Sequence, residues 1–128
     1  MVFTAVKDLM CSPMVYVMHA SEIRNGREVF DGSNAPFKMD DLFFANFPVF
    51  SWDKNNFYIV ALQTAYAGQG ILKKLVSRSI SAGLTPCIVE PVGGIMPSWL
   101  ERNGWHEHKG FYSDDPAASV WTPNAKGP

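Results

Sequence analysis

The stretch that decides the fold is Phe57-Tyr58-Ile59-Val60-Ala61-Leu62-Gln63-Thr64-Ala65-Tyr66-Ala67-Gly68-Gln69-Gly70-Ile71-Leu72-Lys73-Lys74-Leu75. Its opening six residues form a continuous apolar run, as expected of a strand covered on both faces. A glycine-bearing loop follows at 67–70. From Ile71 to Ala82 apolar side chains fall at 71, 72, 75, 76 and 80, one stripe at helical period, with Lys74 and Arg78 off it. Gly83 is placed to stop that helix.

Downstream, Pro86 to Val92 reads as a second buried strand and Gly93-Gly94 as a hinge. A short helix is expected next, with Pro97 in its first turn, where the missing N–H costs nothing. Ile95, Met96, Trp99 and Leu100 are its expected inner face, and Gly104 ends it. Trp105 to Tyr112 and Ser119 to Thr122 suit a closing hairpin, and Pro123 to Pro128 a frayed tail. Upstream, Pro48 to Trp52 and Phe57 to Gln63 read as strands around the polar turn Asp53-Lys54-Asn55-Asn56. Met39 to Phe47, apolar at 39, 42, 43 and 47, suits a short helix before Pro48. Asp31 to Pro36 is a loop and Asn25-Gly26 a turn. Val15 to Ile23 fits strand or helix. The alternation of strands and helices is an α/β (α+β) layout.

With 128 residues the chain is expected to be one domain, large enough for a core without staples. It is 47% hydrophobic and only 18% charged, which argues against disorder. The 13% aromatic content suits a filled core and also an interface, so an oligomer or larger assembly is an open expectation. A net charge of −1 without a basic stripe gives phosphate-driven nucleic-acid binding no support. Apolar runs fall short of the roughly 18 residues of a membrane span. The start, Met1 to Lys7, lacks a charged region followed by a long apolar core, so no signal peptide is expected. Cys11 and Cys87 lie far apart and show neither a disulfide framework nor zinc spacing. A cytoplasmic location fits.

A glycine loop that opens a helix offers backbone N–H groups and the positive end of a dipole, an anion site suited to a pyrophosphate. Lys73 and Lys74 sit in the first helical turn, where a cation is disfavoured by roughly 0.3–1 kcal/mol unless an anion is present. The dinucleotide pattern fails for want of a third glycine after Gly68 and Gly70, and the P-loop ending G-K-[ST] does not occur.

Residues 62–75 resemble the pyrophosphate-loop block of the GNAT N-acetyltransferase superfamily, roughly V-D-P-E-Y-R-G-K-G-I-G-x-x-L. Leu62 stands at the family's Val, Tyr66 at its Tyr, Gly68 and Gly70 at two loop glycines, and Leu75 at the helix Leu. Trp99-Leu100-Glu101-Arg102-Asn103-Gly104-Trp105 is similar to the family's second-helix ending, L-Y-x-K-x-G-F. Ala67 stands where the family has Gln or Arg, Leu72 where it has Gly or Ala, Leu100 where it has a tyrosine, and Gly93 at the helix-start Asn. The resemblance implies a GNAT-like mixed sheet with a splayed central strand, a pyrophosphate-loop helix and flanking helices. It divides the chain into a divergent part at 1–47, an acetyl-CoA-binding half at 48–122 and a tail at 123–128. It implies acetyl-CoA held by Leu62, Ala67, Gly68, Gln69, Gly70, Ile71 and Leu72. The acceptor would be a primary amine on a small molecule or protein, acetylated by direct attack.

Under that resemblance the N–H near Leu62 would hold the oxyanion, and Glu90 at a strand end is the candidate general base. Ser98 and Tyr112 are the hydroxyls available to replace the tyrosine missing at Leu100. The pair Trp99-Leu100 is also similar to short GNAT-like proteins of tailed phages. That likeness implies the alternative of a non-catalytic virion or host-interaction protein. His106 and His108 share a face if they lie in a strand, but no third ligand is evident and no metal is expected. His19 reads as structural, and the four tryptophans as core or interface anchors.

Overall fold

The computed structural model describes residues 13–44, 48–61, 70–91, 95–113 and 115–126. In chain order these form α1 (Pro13–Arg24), β1 (Glu28–Val29), β2 (Val49–Trp52), β3 (Asn56–Ala61), α2 (Ile71–Ser81), β4 (Thr85–Val89), α3 (Ile95–Arg102), β5 (His106–Lys109) and β6 (Ser119–Thr122). The fold is mixed α/β. One six-stranded sheet runs in the order β1-β2-β3-β4-β6-β5. Only β3 and β4 are parallel, and α2 supplies the crossover between them. The last two strands pair as the expected hairpin, but β6 is the one that sits against β4.

The sheet is covered on both faces because its strands alternate two apolar sets. Phe50, Phe57, Ile59, Ile88 and Trp121 enter the main core with Ile71 and Leu75 of α2 and Leu100 of α3. Tyr58, Cys87, Val89 and Val120 face the other way, with Val60 and Tyr112 packed against them. On that second face Glu22 of α1 reaches Ser51 of β2. Among the described residues no helix is long and apolar enough to cross a membrane.

The open choice over residues 15–23 resolves as helix. The expected helix at 39–47 does not form in its described part: residues 39–42 make a turn, closed by the Leu42 N–H on the Met39 carbonyl at 3.0 Å, and Phe44 makes an isolated bridge. Met39 and Leu42 are buried, so the three-residue apolar spacing is satisfied by that turn alone. The guanidinium of Arg78 fixes it with paired 2.7 Å bonds to Asp41 and a 2.9 Å bond to the Lys38 carbonyl. The α2 stripe also needs correcting. Ile80 is 57% exposed, and Ser79 is buried in its place, its hydroxyl on the Leu75 carbonyl at 2.7 Å. On α3, Leu100 is fully buried while Trp99 is 41% exposed, so Trp99 leaves the expected inner face.

Candidate functional site

The parallel ladder of β3 and β4 runs from Asn56↔Thr85 to Ile59↔Ile88 and no further. β3 continues to Ala61 and β4 to Val89, each held by its antiparallel neighbour on the outer side. Where the ladder stops, a cavity of about 410 Å3 opens beside Val60 and Val89. Val17 and Met18 of α1 complete its apolar wall. Its polar lining is Ser21, Glu22, Glu90 and Tyr112.

Glu22 is the centre of a buried network. Its side chain is 1% exposed and that of Arg27 7%, with the guanidinium 3.3 Å from one carboxylate oxygen. The same oxygen accepts from the Ser51 hydroxyl, and the other accepts from the Tyr112 hydroxyl. Arg27 also donates to the Tyr112 carbonyl. Its guanidinium carbon lies 4.3 Å from the Tyr58 ring centre and 4.5 Å from that of Tyr112, within cation–π range. A charge this deeply buried is tolerated only when paired and hydrogen-bonded. Here α1, the turn after it, β2 and the segment after β5 each supply part of the pairing. Burial pushes the Tyr112 phenol far above its ordinary value, and the bond to Glu22 pushes the same way. Burial likewise raises Tyr58 to about 12.

Glu90 follows β4 with φ +41°, a left-handed conformation that a non-glycine residue rarely adopts. Its N–H is held by the Ser119 carbonyl at 3.0 Å. Its side chain is exposed, and its charge acts on Tyr112. A strained carboxylate at a cavity mouth is the kind of outlier that suggests function.

Of the three expected catalytic residues, the structure therefore brings Glu90 and Tyr112 to one cavity. Ser98 is exposed on α3 and is not among the cavity's lining residues. Of the expected cofactor-binding residues, Leu62, Ala67, Gly68 and Gln69 lie outside the described residues, as does Cys11. Gly70 is the N-cap of α2 with φ +68°, and among the described residues, chain neighbours aside, no atom lies within 4 Å of where its side chain would begin. Gly70 has no side chain to cap the helix start, and among the described residues none takes up the first-turn amides. Ile71 is buried, and Leu72 packs partly against the main core. The Leu72 side chain is thereby drawn toward the core. Lys73 and Lys74 are exposed.

Sequence reasoning missed Glu22, Arg27 and Ser51. The local signal was an acidic residue near the end of a largely apolar segment, followed by Arg27 just past the turn. His108 bonds to the Thr122 hydroxyl at 2.9 Å, a structural use of the imidazole. Among the described residues no group of three His, Cys, Asp or Glu side chains is placed to hold a metal. Cys87 is buried and its thiol is pushed up to about 12, chiefly by burial, which leaves little thiolate. Compared with known protein families, curated proteins and solved structures, the chain matches none.

Proposed function

We propose that the chain is an acetyl-CoA-binding N-acetyltransferase of the GNAT type, acting on a primary amine by direct attack. The observation that carries the reading is the parallel pair β3–β4, which parts after Ile59 and Ile88 beside a cavity that holds Glu90. Several further features support it. The segment leaving β3 returns as a helix opened by Gly70. The α2 crossover links the parallel strands, and β6 lies between β4 and β5. They support a reading in which β3 is the splayed strand and α2 the pyrophosphate-loop helix that the resemblance implies.

The residues present at the helix start fit a diphosphate. Among the described residues nothing beyond its chain neighbours crowds Gly70 and no side chain caps α2, and Leu72 packs against the core. The amides of Gly70, Ile71 and Leu72 would hold the diphosphate together with loop residues 62 and 67–69. Acetyl-CoA, when bound, supplies an acyl group activated as a thioester. Glu90 accepts the proton that the attacking amine gives up, and its exposed position returns that proton to water. The walls formed by Val60, Val89 and Met18 keep water away from the amine. Tyr112 does not serve as an acid, because its proton is committed to Glu22.

A second reading has its own support. Leu100, at the position of the family's tyrosine, is fully buried in the core, where a proton donor has no access to a ligand. Val17, Ile23, Trp99 and Phe111 are exposed apolar side chains suited to contact with another protein. A non-catalytic GNAT-like virion or host-interaction protein accounts for both. A thiol-release assay separates the two readings. With acetyl-CoA and a mixture of primary amines, the enzyme reading predicts amine-dependent free thiol that Glu90→Gln reduces by about 100-fold, the usual scale for a general base. Folded protein that releases no thiol with any amine supports the second reading.

A further inference from the structure

Away from the cavity, the sheet has one edge where backbone and side chains match each other. β5 ends the sheet, and among the described residues no strand lies on its outer side. Backbone groups of successive strand residues point alternately to the two sides. The Gly110 N–H is bonded inward, to the Ala118 carbonyl at 3.1 Å, while the Ser119 carbonyl faces away from β5 and takes the Glu90 N–H at 3.0 Å. His106 and His108 therefore direct their backbone groups to β6, and Glu107 and Lys109 direct theirs outward. The antiparallel register sets His108 opposite Val120 and Glu107 opposite Trp121. The His108 side chain thus shares the face of Val120, and Glu107 and Lys109 share the face of Trp121. Both charged side chains are exposed. The outward amides and carbonyls of this edge belong to the same residues that carry its opposite charges.

We propose that β5 pairs with β5 of a second copy of this chain, antiparallel about a two-fold axis at His108, with each Glu107 opposite Lys109 of the other copy. Such an axis stands perpendicular to the sheet and preserves its two faces, so residues that meet across it are an even number of positions apart. With the axis at His108, the outward N–H and C=O of Glu107 meet those of Lys109, and the pair recurs on the other side of the axis. Opposite charges directly across from each other favour pairing, and like charges oppose it. An axis at Glu107 sets two glutamates face to face and calls on the Trp105 N–H, which the Leu100 carbonyl holds at 2.9 Å. An axis at Lys109 sets two lysines face to face. The edge lysine, which ordinarily discourages strand pairing, here rejects the wrong registers and suits this one. His108 leaves room at the axis, since its ring is drawn toward β6 by the Thr122 hydroxyl at 2.9 Å. Phe111, 58% exposed, stands edge-on to that ring with centres 6.0 Å apart, which adds apolar surface beside the axis. A strand edge this short covers well under the roughly 1,200 Å2 of a stable interface, so the dimer is weak and reversible. None of these residues lines the cavity, and the pairing does not rest on the transferase reading.

Sedimentation velocity of the full chain at neutral pH and low salt, from about 10 μM to about 1 mM, tests this pairing. A reversible shift from monomer to dimer is expected within that range. Lys109→Glu, at an exposed position, is expected to fold normally and to weaken the dimer by about tenfold or more. The exchange variant Glu107→Lys/Lys109→Glu is expected to restore it, which a general loss of structure would not allow. Glu107→Pro removes an outward N–H that β6 does not use, a change that edge strands accept. It is expected to abolish the dimer while the melting temperature stays as it was. The proposal is overturned by a monomer up to about 1 mM, by a dimer that Lys109→Glu leaves intact, by an exchange variant that stays monomeric, or by a dimer that survives Glu107→Pro.

Discussion

Glu22 and Glu90 are two carboxylates at one cavity with opposite environments. Glu22 is desolvated and has three donors from distant parts of the chain. Removing it leaves Arg27 buried and unpaired, which costs about 3–5 kcal/mol in comparable sites. Glu22→Ala is therefore expected to lower the free energy of urea unfolding by about that much, whereas Glu22→Gln keeps the shape and loses less. Glu90 is exposed and strained. Glu90→Gly is expected to relieve about 1 kcal/mol of left-handed strain, raising or holding stability in urea. Under the proposed transferase reading the same variant loses amine acetylation, a pairing of stability gain with functional loss. His19 belongs to the same face of the protein. Its imidazole is 2% exposed and its pKa lies below the ordinary value of 6.5, with burial the cause and Glu22 opposing it. The unfolded chain then takes up the proton first. Stability conferred by neutral His19 is full above about 6.5 and falls as the pH drops from there toward the folded pKa. Unfolding followed from pH 7.5 to 5 should show that slope, and His19→Gln should flatten it.

At the scale of elements, legibility followed locality. The helix 71–81, both strands of the parallel pair, the hairpin at 106–122 and the stop at Gly104 were all readable, because each is written in neighbouring residues. Gly104 has φ +82°, which the turn out of α3 requires. Gly104→Ala is expected to cost about 1–2 kcal/mol for the left-handed conformation alone, measured in denaturant, since no neighbour lies within 4 Å to add a clash. The helix expected at 39–47 fails in its described part for an equally local reason. A three-residue apolar spacing is common to a helix and to one buried turn, and the Arg78 bonds that select the turn come from α2. The helix at 13–24 was unreadable as such because its apolar residues fall all round it, giving no stripe. Glu22 was illegible as a site residue for the same reason that it is stable. Its partners Ser51 and Tyr112 stand far along the chain, and no local pattern joins them.

For the whole molecule, the sheet order follows from two constraints. A parallel pair needs a crossover, which α2 supplies. The chain after β4 then has to return through α3 and close the sheet with a hairpin whose second strand meets β4. That arrangement puts helices on both faces and leaves a gap at the ends of β3 and β4, the place where open α/β sheets tend to bind ligands. The general layout was visible from the alternation of strand and helix. The insertion of β6 between β4 and β5 was not, because strand order depends on long-range pairing. Among the described residues the aromatic content read in the sequence includes a buried core and the exposed Phe43, Trp99 and Phe111.

The proposed transferase activity requires a diphosphate seated at the start of α2, and thermal unfolding with acetyl-CoA tests that most directly. A ligand bound only by the folded chain stabilises it by about 2.7 kcal/mol at 100 times its dissociation constant. For a chain of this size that corresponds to a rise in Tm of about 10 °C. Such a rise is expected, and so is its loss in Gly70→Glu, which puts a like charge at the helix start. A folded chain whose melting does not move in millimolar acetyl-CoA would contradict it.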